Sequence, residues 1–401
     1  MNKKLMALAV AGAFGVPAAA VAQVEIYGRA NVFVDSYQAT GSGNAANDFK
    51  SRTRVNDQGS RLGVRGREDL GRGLRAVYQI EAGVNIDTGS QSTSTGSIGA
   101  SNGASNSATG FLASRDSFVG VEGGWGRVLL GRQSLYYGNG IIEQVTSNYV
   151  NVGLPFFSGN MLVPSPTART SNVLSYTTPT FSGVDATVAY APQSEGTQAG
   201  LNTGATITAL TARYTGRVNA QLDWAKNKKQ TPFAAPISGD QTGVKLGVGY
   251  PYAPGAQIAL VYVSQKIENF GTAIAGSVAV GDTLKQKGVG INWEHIFGNI
   301  QALAQYARIN DVNGCSLDCS ATKAKMYMVG AKYLLSKRTG VYATFNQIKN
   351  DANGFTDFTN GGGYTPATTT LTPNGTSAAG LPVGSAGADP RVIALGIMHN
   401  F

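Results

Sequence analysis

Charge is scarce in this chain of 401 residues: Asp, Glu, Lys and Arg together make up 14 % of it, against about 25 % in soluble globular proteins. Long apolar runs are missing as well. Beyond the N-terminus nothing approaches the roughly 20 apolar residues of a membrane-spanning helix, which excludes a polytopic helical protein. Only two His and two Cys are present, and no HExxH, phosphate-binding loop or metal-spaced cluster appears, so catalytic and cofactor chemistry find no support. Gly, by contrast, reaches 53 residues, and Tyr (17) outnumbers Phe (15). Few charges, much Gly and Tyr, and a mean hydropathy of −0.08 fit a large β-structure with polar residues inside and apolar ones outside. That is the composition of an outer-membrane barrel.

Residues 1–22 read as a secretory signal: Lys3 and Lys4 form a basic start, an apolar stretch follows, and Ala20-Val21-Ala22 makes an A-x-A cleavage site. Its removal lowers the net charge from +9 to +7 by the loss of two Lys. Export argues against nucleic acid as the partner of this basic chain and leaves anionic solutes and lipid headgroups. In an exported protein, Cys315 and Cys319 in the polar stretch NGCSLDCS point to a small loop disulfide.

Residues 23–401 read as one domain of alternating segments about ten residues long, the span of a tilted membrane strand. In Val24–Tyr37, Val24, Ile26, Gly28, Ala30, Val32 and Val34 share one face, while Glu25, Tyr27, Arg29, Asn31 and Asp35 share the other. Sixteen such segments are predicted, an even number. Seven short connections alternate with eight long ones, at 38–59, 86–112, 134–170, 193–206, 227–240, 268–284, 310–321 and 350–388. Short turns on one rim and long loops on the other define an antiparallel transmembrane barrel. The segment 256–267 fits less cleanly, because IALVYV is apolar on both faces.

The stretch SRLGVRGREDLGRGLRAVYQIEAGVN (60–85) resembles the second and third strands of Gram-negative general porins of the neisserial and β-proteobacterial type. IYGRA, SFVGVEGGWGRVLLGRQ, KYLLSKRTGVYATFNQIKN and GIMHNF resemble the same family at the expected places. The resemblance implies an all-β, sixteen-stranded barrel in the outer membrane, a homotrimer, with the third extracellular loop (134–170) folded inward. It also implies that the ending on His399 and Phe401 is a signal read by the barrel-assembly machinery.

Parity places Arg29, Arg61 and Arg75 on wet faces, and places Arg115 there by opposition to Phe118. At about 3.3 Å per residue and a tilt near 40°, Arg29, Arg61 and Arg115 fall in one belt roughly 15–20 Å above the periplasmic rim. The resemblance aligns these three with basic constriction residues and adds Arg169. Arg75 lies lower, and Arg132 stands where the chain enters the third loop. Glu81 and Asp35 are the carboxylates able to temper the belt, alongside Glu25. Between Ser134 and Ala168 the only charge is Glu143, amid Tyr136, Tyr137, Tyr149, Phe156 and Phe157. Those aromatics suit either a neutral wall opposite the belt or a sugar-stacking track. The expected function is passive diffusion of small hydrophilic solutes with a preference for inorganic and organic anions, without a cofactor or catalysis. The rival expectation is a barrel serving chiefly as an adhesin or surface receptor.

Overall fold

A computed structural model describes residues 23–401, apart from 44, 46–47, 58, 90–111, 136–153, 155, 158–160, 164, 167–168, 193–205, 231–238, 271–278, 355 and 359–385. The signal segment therefore lies outside the described residues. The elements are all strands: β1 (Gln23–Thr40), β2 (Phe49–Asp57), β3 (Arg61–Gly71), β4 (Leu74–Gly83), β5 (Ser117–Gly123) and β6 (Gly126–Ser134). They continue as β7 (Arg169–Thr177), β8 (Val184–Pro192), β9 (Thr206–Thr215), β10 (Asn219–Gln230), β11 (Gly239–Ala253) and β12 (Ala256–Ile267). The last five are β13 (Leu284–Phe297), β14 (Ile300–Ile309), β15 (Ala324–Leu334), β16 (Thr339–Asn350) and β17 (Asp389–Asn400). Apart from β2 and β3, sequence neighbours pair antiparallel, and β17 pairs back onto β1, closing the sheet into a barrel. Closure leaves no strand edge to meet hydrocarbon with unpaired backbone groups.

Seventeen strands occupy sixteen positions, because β2 and β3 both pair with β1 and form one interrupted strand. Val32 faces Asp57, whereas Arg29 faces Arg61, so β1 advances three residues while its partner advances four. The extra residue makes a bulge at Gly59, whose φ is +68°. Ser60 Oγ accepts the Asn31 amide at 2.8 Å there and bridges the break.

This strand corrects the first long connection expected at 38–59. β1 runs on to Thr40 and β2 returns from Phe49, leaving only residues 41–48 between them. Polar residues on both faces of FKSRTRVND hide the alternation, since Arg54 and Asn56 point inward onto Asp35. Asp48 closes the remaining turn. The Ser42 hydroxyl and the amides of Ser42 and Gly41 donate to its carboxylate and hold it below the usual carboxylate range.

Short turns gather on the opposite rim. Between β3 and β4, Arg72 and Gly73 both take positive φ (54° and 77°), as a tight hairpin of type I′ requires. Aromatic side chains stand beside such turns. Tyr176 donates to the Trp125 carbonyl at 2.7 Å, and Trp293 Nε1 donates to the Tyr252 hydroxyl at 2.9 Å. Amphipathic rings in this position match a membrane–water interface. Between the rims, Val119, Leu130, Val188, Leu260, Val289 and Leu395 are exposed on the outer face, as lipid contact demands.

Candidate functional site

The lumen has two unlike walls. On β12 to β17 and β1 part of the inner face is apolar: Val261, Val263, Leu303, Ile309, Met326 and Phe33 are buried in one cluster with Leu154, Phe156, Phe157 and Met161. The described residues of the connection after β6 therefore lie inside the barrel and clad this wall. Gly288 and Gly290 leave the space for them, since a Cβ at either would lie 2.5–2.7 Å from the Phe156 ring. Val163 donates its amide to Gln286 Oε1 at 3.1 Å, and Asn227 Nδ2 donates to the Pro166 carbonyl at 3.2 Å. The double-sided apolar pattern of β12 has its explanation here: one face meets lipid and the other meets the inserted loop.

Phe156 and Phe157 are 0 % and 2 % exposed, so they are anchors and cannot form a sugar-stacking track. Tyr136, Tyr137, Glu143 and Tyr149 lie outside the described residues.

The other wall carries the charges. Arg29 sits directly opposite Arg61 in the β1–β3 register, and both lie close enough to Arg115 to repel it. Arg115 in turn repels Arg169, which also acts on Arg132. Glu81 is the hub of the group: it pairs with Arg115 Nε at 2.5 Å and Arg61 Nε at 3.6 Å, and accepts the Tyr27 hydroxyl at 2.9 Å. Asp116, a carboxylate that strand parity did not single out, accepts Arg169 Nε at 2.7 Å and the Ser134 hydroxyl. Arg29 Nε donates to Asn400 Oδ1 at 3.0 Å, while Arg132 donates to the Ser114 carbonyl and Ser171 Oγ.

Two expectations about this wall need correction. Arg115 does not reach the lumen by opposition to Phe118: Phe118 itself faces inward beside Gln79 in a cavity of about 320 Å³ that Asp116, Thr211 and Arg213 also line. Arg115 precedes β5, in a bend whose amide donates to the Glu81 carbonyl at 2.9 Å, and that contact aims it. Asp35 lies outside the belt, because it is held by Arg54 at 2.8 Å on the far side of the bulge. Arg75 stands near the short turns with Glu122 at 3.5 Å.

Two further charged pairs face the lumen. Lys332 and Glu294 attract each other on the inner face, and Lys332 also acts on Arg29. Arg213 pairs with Asp185 at 2.6 Å on β9 and β8. Strand parity would have found all four.

His295 stacks on Phe297 with ring centroids 3.9 Å apart, and His399 meets Thr339 Oγ1 at 2.8 Å. Phe401 exchanges backbone hydrogen bonds with Gly28 at 2.9 and 3.1 Å, sealing the barrel beside the belt. At the external end, Cys315 and Cys319 are bonded to each other, their Cα atoms 6.1 Å apart, and pack with Leu162 and Val163 of the inserted loop.

Comparison with known proteins gives the same architecture. The sequence profile of the Gram-negative porin family matches residues 7–353. The chain is 28 % identical to the major outer membrane protein P.IB of Neisseria gonorrhoeae, over 84 % of its own length and 91 % of the relative's. It is 27 % identical to an outer membrane porin protein of Bordetella pertussis, over 88 % and 95 % of the two chains. Among solved structures, the anion-selective porin from Comamonas acidovorans superposes with a TM-score of 0.69 at 22 % identity, covering 95 % of this chain and 100 % of the other. With a closed sixteen-position barrel, a loop inserted in its lumen and a profile match across most of its length, the chain belongs to the Gram-negative porin family and is a porin of the outer membrane.

Proposed function

We propose that this porin prefers anions, and that Arg29, Arg61, Arg115, Arg132 and Arg169 form the selective part of its constriction. One observation carries the reading. Among the described residues, five guanidinium groups gather around two carboxylates, Glu81 and Asp116. Even with Glu143 of the inserted loop counted against them, positive charge is in excess. Guanidinium stays charged at any working pH and presents several donors in a fixed fork, so a carboxylate or phosphate can pass from one Arg to the next. Low-dielectric walls focus the field of a few fixed charges, which then outweigh the charge of the outer loops. The described selectivity of the Comamonas porin supports the same direction.

Small hydrophilic solutes cross by diffusion down their gradient, with the segment 134–170 narrowing the path. The mature chain starts at Gln23 and assembles as a trimer, its terminal His399 and Phe401 read by the assembly machinery. Reversal potentials across planar bilayers in a KCl gradient test the central reading. Anion preference is expected at low salt, weakening as the screening length falls from about 10 Å at 0.1 M to about 3 Å at 1 M. Cation preference at low salt overturns it. Measurement of mass in detergent tests the trimer separately.

A further inference from the structure

On the inner face of β6 to β11, strand register builds a row. Arg127 of β6 faces Thr177 of β7, Thr177 faces Thr187 of β8, and Thr187 faces Thr211 of β9. Asp223 of β10 and Lys245 of β11 continue it, each opposite the residue before. The row from Arg127 to Asp223 lines the cavity of about 320 Å³, a volume at the lower end of small-molecule pockets. Its three Thr hydroxyls span two strand spacings, about 10 Å. Above the row the cavity ends at Asp116, which holds Arg169 of the belt. Leu129, Ala189 and Ala209 give it an apolar wall.

Charge along the lining is uneven. Asp223 is buried opposite Lys245 and accepts the Thr211 hydroxyl at 2.7 Å. Asp116 is held by Arg169, and Arg213 by Asp185. Arg127 is exposed and has no ion pair among the described residues, since Glu122 opposite it is engaged by Arg75 at 3.5 Å. The lining therefore offers an uncompensated positive charge and no uncompensated negative one. Its hydroxyls are one-sided too. Thr211 has given its proton to Asp223, and Thr177 and Thr187 are bonded to each other at 2.9 Å. A hydroxyl oxygen keeps lone pairs after donating, so the middle of the row accepts hydrogen bonds and its Arg127 end donates them.

A guest that matches this pattern carries an anionic group and, next to it, a run of hydroxyl donors. A cationic group on the guest finds no free carboxylate, which disfavours a zwitterion. An aliphatic acid would displace water from the Thr oxygens without replacing its hydrogen bonds, and so loses affinity. We propose that the β6 to β9 row is a station for polyhydroxylated carboxylates, the sugar-acid class, on the short-turn side of the belt. Arg127 takes the carboxylate in its fork, Thr177, Thr187 and Thr211 accept the hydroxyls, and the carbon chain lies against Leu129, Ala189 and Ala209. The station rests on the anion preference of the belt, which admits such solutes to it.

The test titrates single-channel current in constant KCl with potassium gluconate, and separately with hexanoate, which has the same carbon chain without hydroxyls. Gluconate should block saturably and at lower concentration than hexanoate. T177V/T187V should raise the half-blocking gluconate concentration on the order of tenfold and leave that of hexanoate unchanged. Removing both partners of one hydrogen bond leaves neither unsatisfied, and heat-modifiable migration verifies the fold. R127Q should weaken block by both ions. The station is refuted if gluconate fails to block, if hexanoate or the ammonium-bearing glutamate blocks equally, or if T177V/T187V keeps the wild-type gluconate block. Reversal potentials of the wild type in a KCl gradient separate the two readings. Anion preference alongside any of these results strikes the station alone, whereas cation preference strikes the belt.

Discussion

Arg61 faces Arg29 across the β3–β1 ladder only because one extra residue is inserted at Gly59. In β2 the even-numbered Arg54 and Asn56 point inward; in β3 the odd-numbered residues do. Without the bulge Arg61 would face lipid, where a charge at the membrane midplane costs about 2–4 kcal/mol. A one-residue irregularity thus sets the charge of the channel.

Replacing Arg61 and Arg115 together with Ser should remove most of the anion bias. Reversal potentials in dilute KCl measure it, and an unchanged bias would show that the selective charges lie elsewhere.

Glu81→Gln should move selectivity the other way. Losing the carboxylate shared by Arg61 and Arg115 raises the local potential and the anion-to-cation permeability ratio. Removing one partner of a buried ion cluster also costs about 3–5 kcal/mol, so refolding yield should fall. A shift toward cations would contradict the hub role assigned to Glu81.

Phe156→Ala should loosen the inserted loop. A cavity left by a fully buried Phe costs about 3–5 kcal/mol, and here the loss falls on the loop's attachment to Gly288 and Gly290. Current traces should become noisier and the mean conductance larger, while barrel stability changes little. A quiet channel of wild-type conductance would mean that the loop is held by other contacts.

Gly28→Val should impair closure. A Cβ at this position would lie 2.4 Å from the Phe401 ring and 2.6 Å from the Arg61 carbonyl. Because the second obstacle is backbone, trimming Phe401 to Ala should rescue assembly only in part. Heat-modifiable migration of folded against unfolded protein reports the outcome.

Cys315→Ser with Cys319→Ser should leave the barrel folded. The five-residue ring contributes about 2 kcal/mol by the chain-entropy estimate, spent on a rim loop that packs against Leu162 and Val163. Thiol labelling of the unfolded, unreduced wild type should find neither cysteine reactive.

The barrel was legible in the amino-acid order because each spanning strand is a local object. Alternation along Val24–Tyr37 or Val244–Tyr250 depends only on lipid outside and water inside, and turn residues such as Arg72-Gly73 write the hairpins directly. The belt was half legible by the same rule, which identifies Arg29 and Arg61 from their neighbours. The β2 strand escaped notice because its inward face balances charges of β1, a partner that periodicity does not contain.

Composition and period determined the class of the protein, its strand count and the sign of its surplus charge, since these follow from local contrasts between apolar and polar residues. Tertiary structure alone decided which charges meet. The bulge at Gly59 turns Arg61 inward, a bend held by the Glu81 carbonyl aims Arg115, and Asp116 joins the belt through Arg169, 53 residues away along the chain. Likewise, only the folded barrel lines up Arg127, Thr177, Thr187 and Thr211, because register between strands is a property of pairs and no single strand encodes it.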